Sequence, residues 1–268
     1  LSLCHIGEPP DAIVGVIASD AETSVPSLDL PTDSDRALPC RPTVACTADF
    51  APPGTFEIEG GWNAAKQAGQ RVVSFPFLLK QTLTPLLQLQ LGSNGFTSVR
   101  GTERTSYFDD LVFGPKLHLV DQSAFVPSLS VSAEIGVPIS RATGYSSDDD
   151  AFFTAYASQD FAFIHADLNA GLALWKLESP SVQESLELAL SATVAAPLGV
   201  FAEGYVFSNA APVAPRDGGV RAGLTLTPKP WLVFDAGGDA GFYPSIRAYT
   251  LFVGMTVVPF VLWRSDAR

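Results

Sequence analysis

Residues Leu86–Gly92 read LLQLQLG. From Leu87 the leucines fall on every second position, with Gln88 and Gln90 between them. A period of two puts the leucines on one face of a β-strand and the glutamines on the other. The leucines point either into a protein core or into lipid. The glutamines correspondingly meet either bulk water or an enclosed polar interior. The rest of the chain decides between these.

Across 268 residues, 47% are hydrophobic and only 16% charged, and the mean hydropathy is +0.22. Charge is low for a soluble domain, yet no stretch offers the eighteen or more uncharged apolar residues a spanning helix requires. The longest candidate, Leu186–Val200, is interrupted by Glu187, Ser191 and Pro197. Apolar content spread over many short segments suits a β-sandwich or a membrane barrel and excludes a helical membrane protein. The net charge of −12, with no basic cluster apparent along the chain, argues against nucleic acid. No basic, apolar leader opens the sequence, so any signal peptide is expected to have been removed already. Cys40 and Cys46 are close enough to close a small disulfide loop, which suits an oxidising compartment. Cys4, in LSLC, resembles a lipoprotein cleavage site, but Leu3 is too bulky before it and no lipidation is expected.

The first 54 residues are rich in Pro, Asp and Ser and carry no sustained periodicity; Ile13–Ile17 is their one apolar island. They read as an irregular arm or plug on the periplasmic side, followed by a barrel over 55–268. From Thr55 the pattern is strand, turn, strand, and about twelve antiparallel strands are expected, with no helix. The clearest is PSLSVSAEIGVPI, which opposes Leu129, Val131, Ala133, Ile135 and Val137 to Ser128, Ser130, Ser132 and Glu134. Connections alternate long and short. Asn63–Gly69, Ser93–Tyr107, Ser140–Asp150, Lys176–Glu184, Ser208–Asp217 and Asp239–Arg247 read as long; Leu83–Pro85, Val120–Val126, Gln159–Asp160, Pro197–Leu198 and Pro228–Pro230 read as short. That rhythm belongs to an up-and-down outer-membrane β-barrel, with tight periplasmic turns and longer outer loops. A Greek-key sandwich has no reason to keep it.

One face of these strands is clean of charge. The other holds Glu57, Glu59, Lys80, Gln88, Gln90, Lys116, His118, Glu134, His165, Asp167, Glu187, Glu203, Arg221 and Asp235. A soluble sandwich would crowd its polar face with Lys and Glu; here Ser, Thr, Gly, Gln and Asn prevail. A charge facing lipid costs roughly 2–4 kcal/mol at the bilayer midplane, so the clean face is read as the lipid face and the fourteen residues as lumen-lining. Their roles are either to shape a pore and its field or to pair as buried acids and bases that hold the barrel shut.

The runs FDDLVFGPKLHL, PSLSVSAEIGVPIS, LGVFAEGYVFS, GGVRAGLTLTPKPWLVFDAGG and YTLFVGMTVV resemble, in that order, motifs of the transporter-type outer-membrane barrels grouped as the MetA-pathway-of-phenol-degradation family. The resemblance spans roughly Thr55–Val258 and implies an outer-membrane channel or transporter. The long arm and the final VVPFVLW depart from that pattern.

No G-x-S-x-G, H-E-x-x-H or Walker motif occurs, and the three histidines lack partners at metal-ligand spacing. Neither enzymatic activity, a cofactor nor a metal site is expected. Asp148–Asp150, placed in a long loop, is the only stretch with calcium-like chemistry, and it also reads as a solvated run. Two functions fit. One is an outer-membrane channel for a small solute, hydrophobic and aromatic ones included. The other is a non-transporting scaffold whose arm and loops bind envelope proteins. Outer-membrane lipid is the partner in both.

Overall fold

The structure is a computed structural model that describes residues 29–140, 148–176, 180–208, 216–244 and 246–264. Cys4, His5 and the island Ile13–Ile17 lie outside the described residues. Fifteen strands form one antiparallel sheet. They are β1 (Thr55–Gln67), β2 (Gln70–Ser74), β3 (Phe77–Thr84), β4 (Leu87–Ser93), β5 (Phe96–Arg100), β6 (Arg104–Phe108), β7 (Leu111–Val120), β8 (Ser128–Val137), β9 (Asp148–Phe161), β10 (Ile164–Lys176), β11 (Ser181–Ala195), β12 (Leu198–Phe207), β13 (Asp217–Lys229), β14 (Leu232–Gly241) and β15 (Arg247–Val261).

β1 pairs with β15 from Thr55↔Val261 to Gln67↔Arg247, so the sheet closes on itself and has no free edge in the wall. The wall has twelve staves, because three of them are broken in two. β2 and β3 are one stave interrupted at Phe75–Pro76: β3 pairs with the lower part of β1 and β2 with its upper part. Proline has no N–H to give to a ladder, so the break falls where a donor is missing. β4 and β5 are interrupted at Asn94–Gly95, where Gly95 takes φ +64°, and β6 and β7 at Asp109–Asp110.

Burial is inverted relative to a soluble protein. Glu59 and Ser128 are 0% exposed and Lys116 2%, whereas Leu119 and Leu251 are both 57% exposed. Leu87, Leu89 and Leu91 therefore stand on the outside of the wall, and Gln88 and Gln90 are buried within it. The facing of AFFTAYAS, ambiguous in the sequence, resolves with Tyr156 and Ser158 inward and Phe153 outward.

Three expectations about connections are corrected. Asn63–Gly69 is not a long loop: β1 runs on to Gln67 and turns at Ala68–Gly69, both with positive φ. Ser93–Tyr107 contains a hairpin, β5–β6, paired from Phe96↔Phe108 to Arg100↔Arg104. Asp148–Asp150 opens β9 rather than lying in a loop. Each error has one cause. Above the bilayer both faces of a strand meet polar surroundings, so the apolar/polar contrast that marks a strand fades.

Candidate functional site: the lumen and the segment inside it

The lumen is occupied by the chain's own residues 29–54. Asp29 forms a β-bridge with Val261 at the end carrying the short turns. Ala37 then donates to Pro230 O (2.9 Å) and packs with Val233, Val258 and Val261, with Trp231 against them. From there the segment climbs along β1 and β14, turns inside the Cys40–Cys46 disulfide, and descends past β8, β9 and β10. It leaves at Gly54, whose N–H donates to Thr82 O (2.8 Å) and whose φ is +90°. A side chain at Gly54 would collide with Trp263 O, 1.8 Å from an ideal Cβ.

The wall holds this segment mostly by its backbone, and carboxylates do much of the holding. Glu57 accepts from Leu38 N (2.7 Å). Glu59 accepts from Cys40 N (2.9 Å) and Arg41 N (2.8 Å). Glu203 accepts from Val44 N (2.8 Å) and Ala45 N (2.6 Å). Cations take the carbonyls: Lys80 donates to Leu38 O and Lys116 to Thr47 O, each at 2.5 Å, and Arg221 to Pro42 O at 2.7 Å. Small polar side chains complete the set. Ser158 accepts from Ala48 N (2.7 Å) and Ser130 donates to Ala48 O (2.5 Å). The Asn169 amide, oriented so that both its ends are satisfied, donates to Cys46 O (2.9 Å) and accepts from Cys46 N (2.7 Å). An irregular segment can lie in a protein interior only when its backbone groups find partners, and here the wall supplies them.

The charges are also paired with one another. Lys80 lies 2.7 Å from Glu59 and 3.4 Å from Glu57; Arg41, on the segment, lies 3.4 Å from Asp235. Arg41 passes between Gly61 and Gly254, where an ideal Cβ at either position would come within 2.5 Å of its guanidinium. Arg221 is 3.7 Å from Asp239 and 4.0 Å from Glu203. Lys116 sits 4.0 Å over the Tyr156 ring. His118 Nδ1 is within hydrogen-bond distance of Ala48 O (3.3 Å) and Ser130 Oγ (3.2 Å), and its Nε2 of Asp121 (2.9 Å). His165 bridges Asp160 (2.7 Å) and Asp167 (3.0 Å), and Asp167 accepts from Ser158 (2.5 Å). Gln90 donates to Gln88 and Gln88 to Thr82.

Toward the end with the long connections, a cavity of about 330 Å³ remains above the segment. Val44 and Cys46 contribute to its floor, and Phe152, Tyr156, Trp175 and Phe207 to its wall. Phe152 and Trp175 meet edge to face at 5.8 Å. Glu134 and Glu187 also line it, and neither forms an ion pair among the described residues.

The fourteen residues singled out from the sequence therefore share the inner face but not one task. Glu57, Glu59, Lys80, Lys116, Glu203, Arg221 and Asp235 contact the inserted segment directly, as does His118. Gln88, Gln90, His165 and Asp167 belong to wall networks beside it, and Glu134 and Glu187 belong to the cavity. Sequence reasoning set Ser130, Asn169 and Tyr205 on the polar faces without giving them a role, and missed Ser158 and Asp239, although strand parity with Asp235 marks the face of Asp239. It also missed Arg41, which lies in a stretch with no period to read.

No family model matches the chain, and no curated protein matches it. Solved structures do. The NanC porin aligns at TM-score 0.54 with 7% identity, covering 75% of this chain and 98% of that one. At that identity the likeness shows the fold: a closed outer-membrane-type β-barrel. The translocator domain of the autotransporter NalP from Neisseria meningitidis aligns at TM-score 0.46 and 11% identity, covering 76% and 88%.

Proposed function

We propose that this chain is an outer-membrane channel closed by its own N-terminal segment, and that it passes a small solute when the segment withdraws. The observation that carries this is the chemistry of the contact between segment and wall. The apolar cluster that the segment joins around Ala37 is small, and Phe50 adds a ring contact with His118; the contacts that fix its backbone are hydrogen bonds to carboxylates, ammonium groups and hydroxyls. Water can replace such partners once the segment moves, whereas an apolar plug would leave a dewetted bore. Twelve staves enclose little more than a ligand-sized channel, which suits a small solute. The aromatic walls of the outer cavity favour a solute with an aromatic or otherwise apolar face. The short turns and both ends of the wall lie at one end, which we assign to the periplasm with the segment's entry.

Planar-bilayer conductance tests this on the full chain. The native protein is expected to be mostly closed. The same chain carrying Glu59→Gln and Glu203→Gln, which weakens four backbone bonds to the segment, is expected to show discrete openings. A scaffold barrel would conduct in neither form, nor after removal of residues 29–54. Impermeant maleimide on intact cells tests orientation, in chains whose Cys4 is replaced by Ser. Glu103→Cys should be labelled and Ala124→Cys protected; the opposite pattern reverses the assignment.

A further inference from the structure

The chain is strongly acidic and has only 16 Lys and Arg residues, yet four of them stand in one line. Lys66 pairs with Arg71 across β1–β2, Arg71 with Arg100 across β2–β5, and Arg100 with Arg104 across β5–β6. Residues in register on neighbouring strands share a face, so the four side chains form one row about 14 Å long. All four are exposed, and none has a hydrogen bond or ion pair from its side chain among the described residues. Like charges placed directly opposite each other across strands destabilise a sheet, so an unneutralised row of four has no structural rationale.

The position of the row supplies one. It lies on the outer face, the face of Trp62 on β1. Two rungs nearer the wall on that same face come Phe75, Phe96 and Phe108, with Phe96 and Phe108 in register and all three 44–48% exposed. Such an aromatic row marks the membrane interface. Lys66 lies four residues beyond Trp62, about 13 Å along the strand and roughly 10 Å along the normal once strand tilt is allowed for. The row between them is Ala64, Val73, Ser98 and Ser106, small throughout and half polar, with Ser106 donating to Ser98 (3.1 Å). From the interface outward the surface thus reads aromatic, small, cationic, which is the profile of a lipid from its glycerol or sugar base to its phosphates.

We infer that Lys66, Arg71, Arg100 and Arg104 form a binding site for the phosphate groups of an anionic lipid headgroup in the outward-facing leaflet. Arginine at three of the four positions suits forked recognition of phosphate oxygens. The site is independent of whether the lumen conducts. It requires only that the end with the long connections faces outward.

The test uses the full-length protein in mixed micelles of phosphatidylcholine with lipopolysaccharide as the phosphorylated lipid. Lipid phosphate retained per barrel is measured after gel filtration. The native chain should retain lipopolysaccharide in preference to phosphatidylcholine, and less of it as salt rises. Replacing all four cations by Gln should weaken retention roughly a thousand-fold. Arg71→Lys, Arg100→Lys and Arg104→Lys together, which keep the charge, should stay within about ten-fold of native. Heat-shifted gel migration reports on the barrel in each variant. If the fourfold change prevents folding, Arg100→Gln with Arg104→Gln, confined to the β5–β6 hairpin, replaces it. Unchanged retention in the Gln variant would overturn the site. Full displacement of the lipid by millimolar inorganic phosphate would overturn the lipid as its occupant.

Discussion

Glu203 is the residue whose removal reads most directly on the inserted segment. It is 4% exposed and accepts from two consecutive amides, Val44 and Ala45, beside the disulfide turn. Glu203→Ala deletes both bonds. A hydrogen bond to a charged group contributes about 1.5–3 kcal/mol. The lower end applies here because the lumen is polar and water can take the vacated place. Two bonds then amount to about 3 kcal/mol, or roughly a hundred-fold in the local opening equilibrium. Arg221 keeps Asp239 and Pro42 O as partners, so the substitution does not strand a cation. The assay is amide hydrogen exchange of the full chain in detergent. The Val44 and Ala45 amides should exchange about a hundred times faster, and Glu203→Gln, which keeps one acceptor oxygen, about ten times faster. The Leu38 amide, bound to Glu57 on β1, four strands around the wall from Glu203 on β12, serves as internal reference and should stay within about threefold. Unchanged exchange at Val44 and Ala45, with the barrel intact, would refute the view that carboxylates hold the segment.

Three further outcomes follow from the same structure. Asp35 anchors the entry of the segment, bonded to Arg264 at 3.0 Å and to Thr32 N at 2.7 Å. Burial pushes its pKa up, but the bonds from Arg264 and Thr32 outweigh it and hold the carboxyl below its usual range. A depressed carboxylate stabilises the folded state above its unfolded value of about 4 and loses that contribution as pH falls through the lower folded value. Protease cleavage of residues 29–37 should therefore rise on acidification in the native chain and be pH-independent and already raised in Asp35→Asn. On the lipid face, Leu188→Lys in mid-β11 should cost about 2–4 kcal/mol in urea unfolding from vesicles; Leu188 is 47% exposed, so a cost below about 0.5 kcal/mol would contradict its lipid contact. Replacing both Cys40 and Cys46 by Ser removes a short closed loop whose restraint contributes roughly 2 kcal/mol. Exchange at Arg41 and Val44 should rise by at least ten-fold, whereas parity with the native chain would show that the wall alone shapes the turn.

The wall was legible in the sequence because a bilayer imposes a simple rule on it. Leu186, Leu188 and Leu190 must all avoid charge, and Glu187 and Ala189 between them need not. That rule gives facing, strand number and the alternation of turns. It lapses in two places. Beyond the interface, Lys66 and Arg100 can point outward at no cost, so the end of β1 and the β5–β6 hairpin looked like loop. Inside the lumen, residues 29–54 are placed through amide and carbonyl groups that every residue possesses. Nothing in Leu38, Val44 or Ala48 as side chains announces a partner. What could be read was the complement: acids and serines at regular positions on a hidden face, more of them than a wall needs for itself, together with one cysteine pair.

The inserted segment enters and leaves by the same mouth, between the Asp29–Val261 bridge and Gly54. It is therefore a bight of chain rather than a thread. Extracting it requires no end to pass through the barrel. A pull on residue 29 from the mouth loads the contacts one after another, the Asp29–Val261 bridge first, then Asp35–Arg264 and Ala37–Pro230, then Leu38, Cys40 and Arg41, then Val44 and Ala45. Bonds loaded in series break at far lower force than bonds sheared together. The same bonds loaded from the opposite end, by pressure on the disulfide turn, would share the load and resist. The lumen is thus built with mechanical polarity: easily unzipped by a tug from the entry side, and stiff against a push from the other.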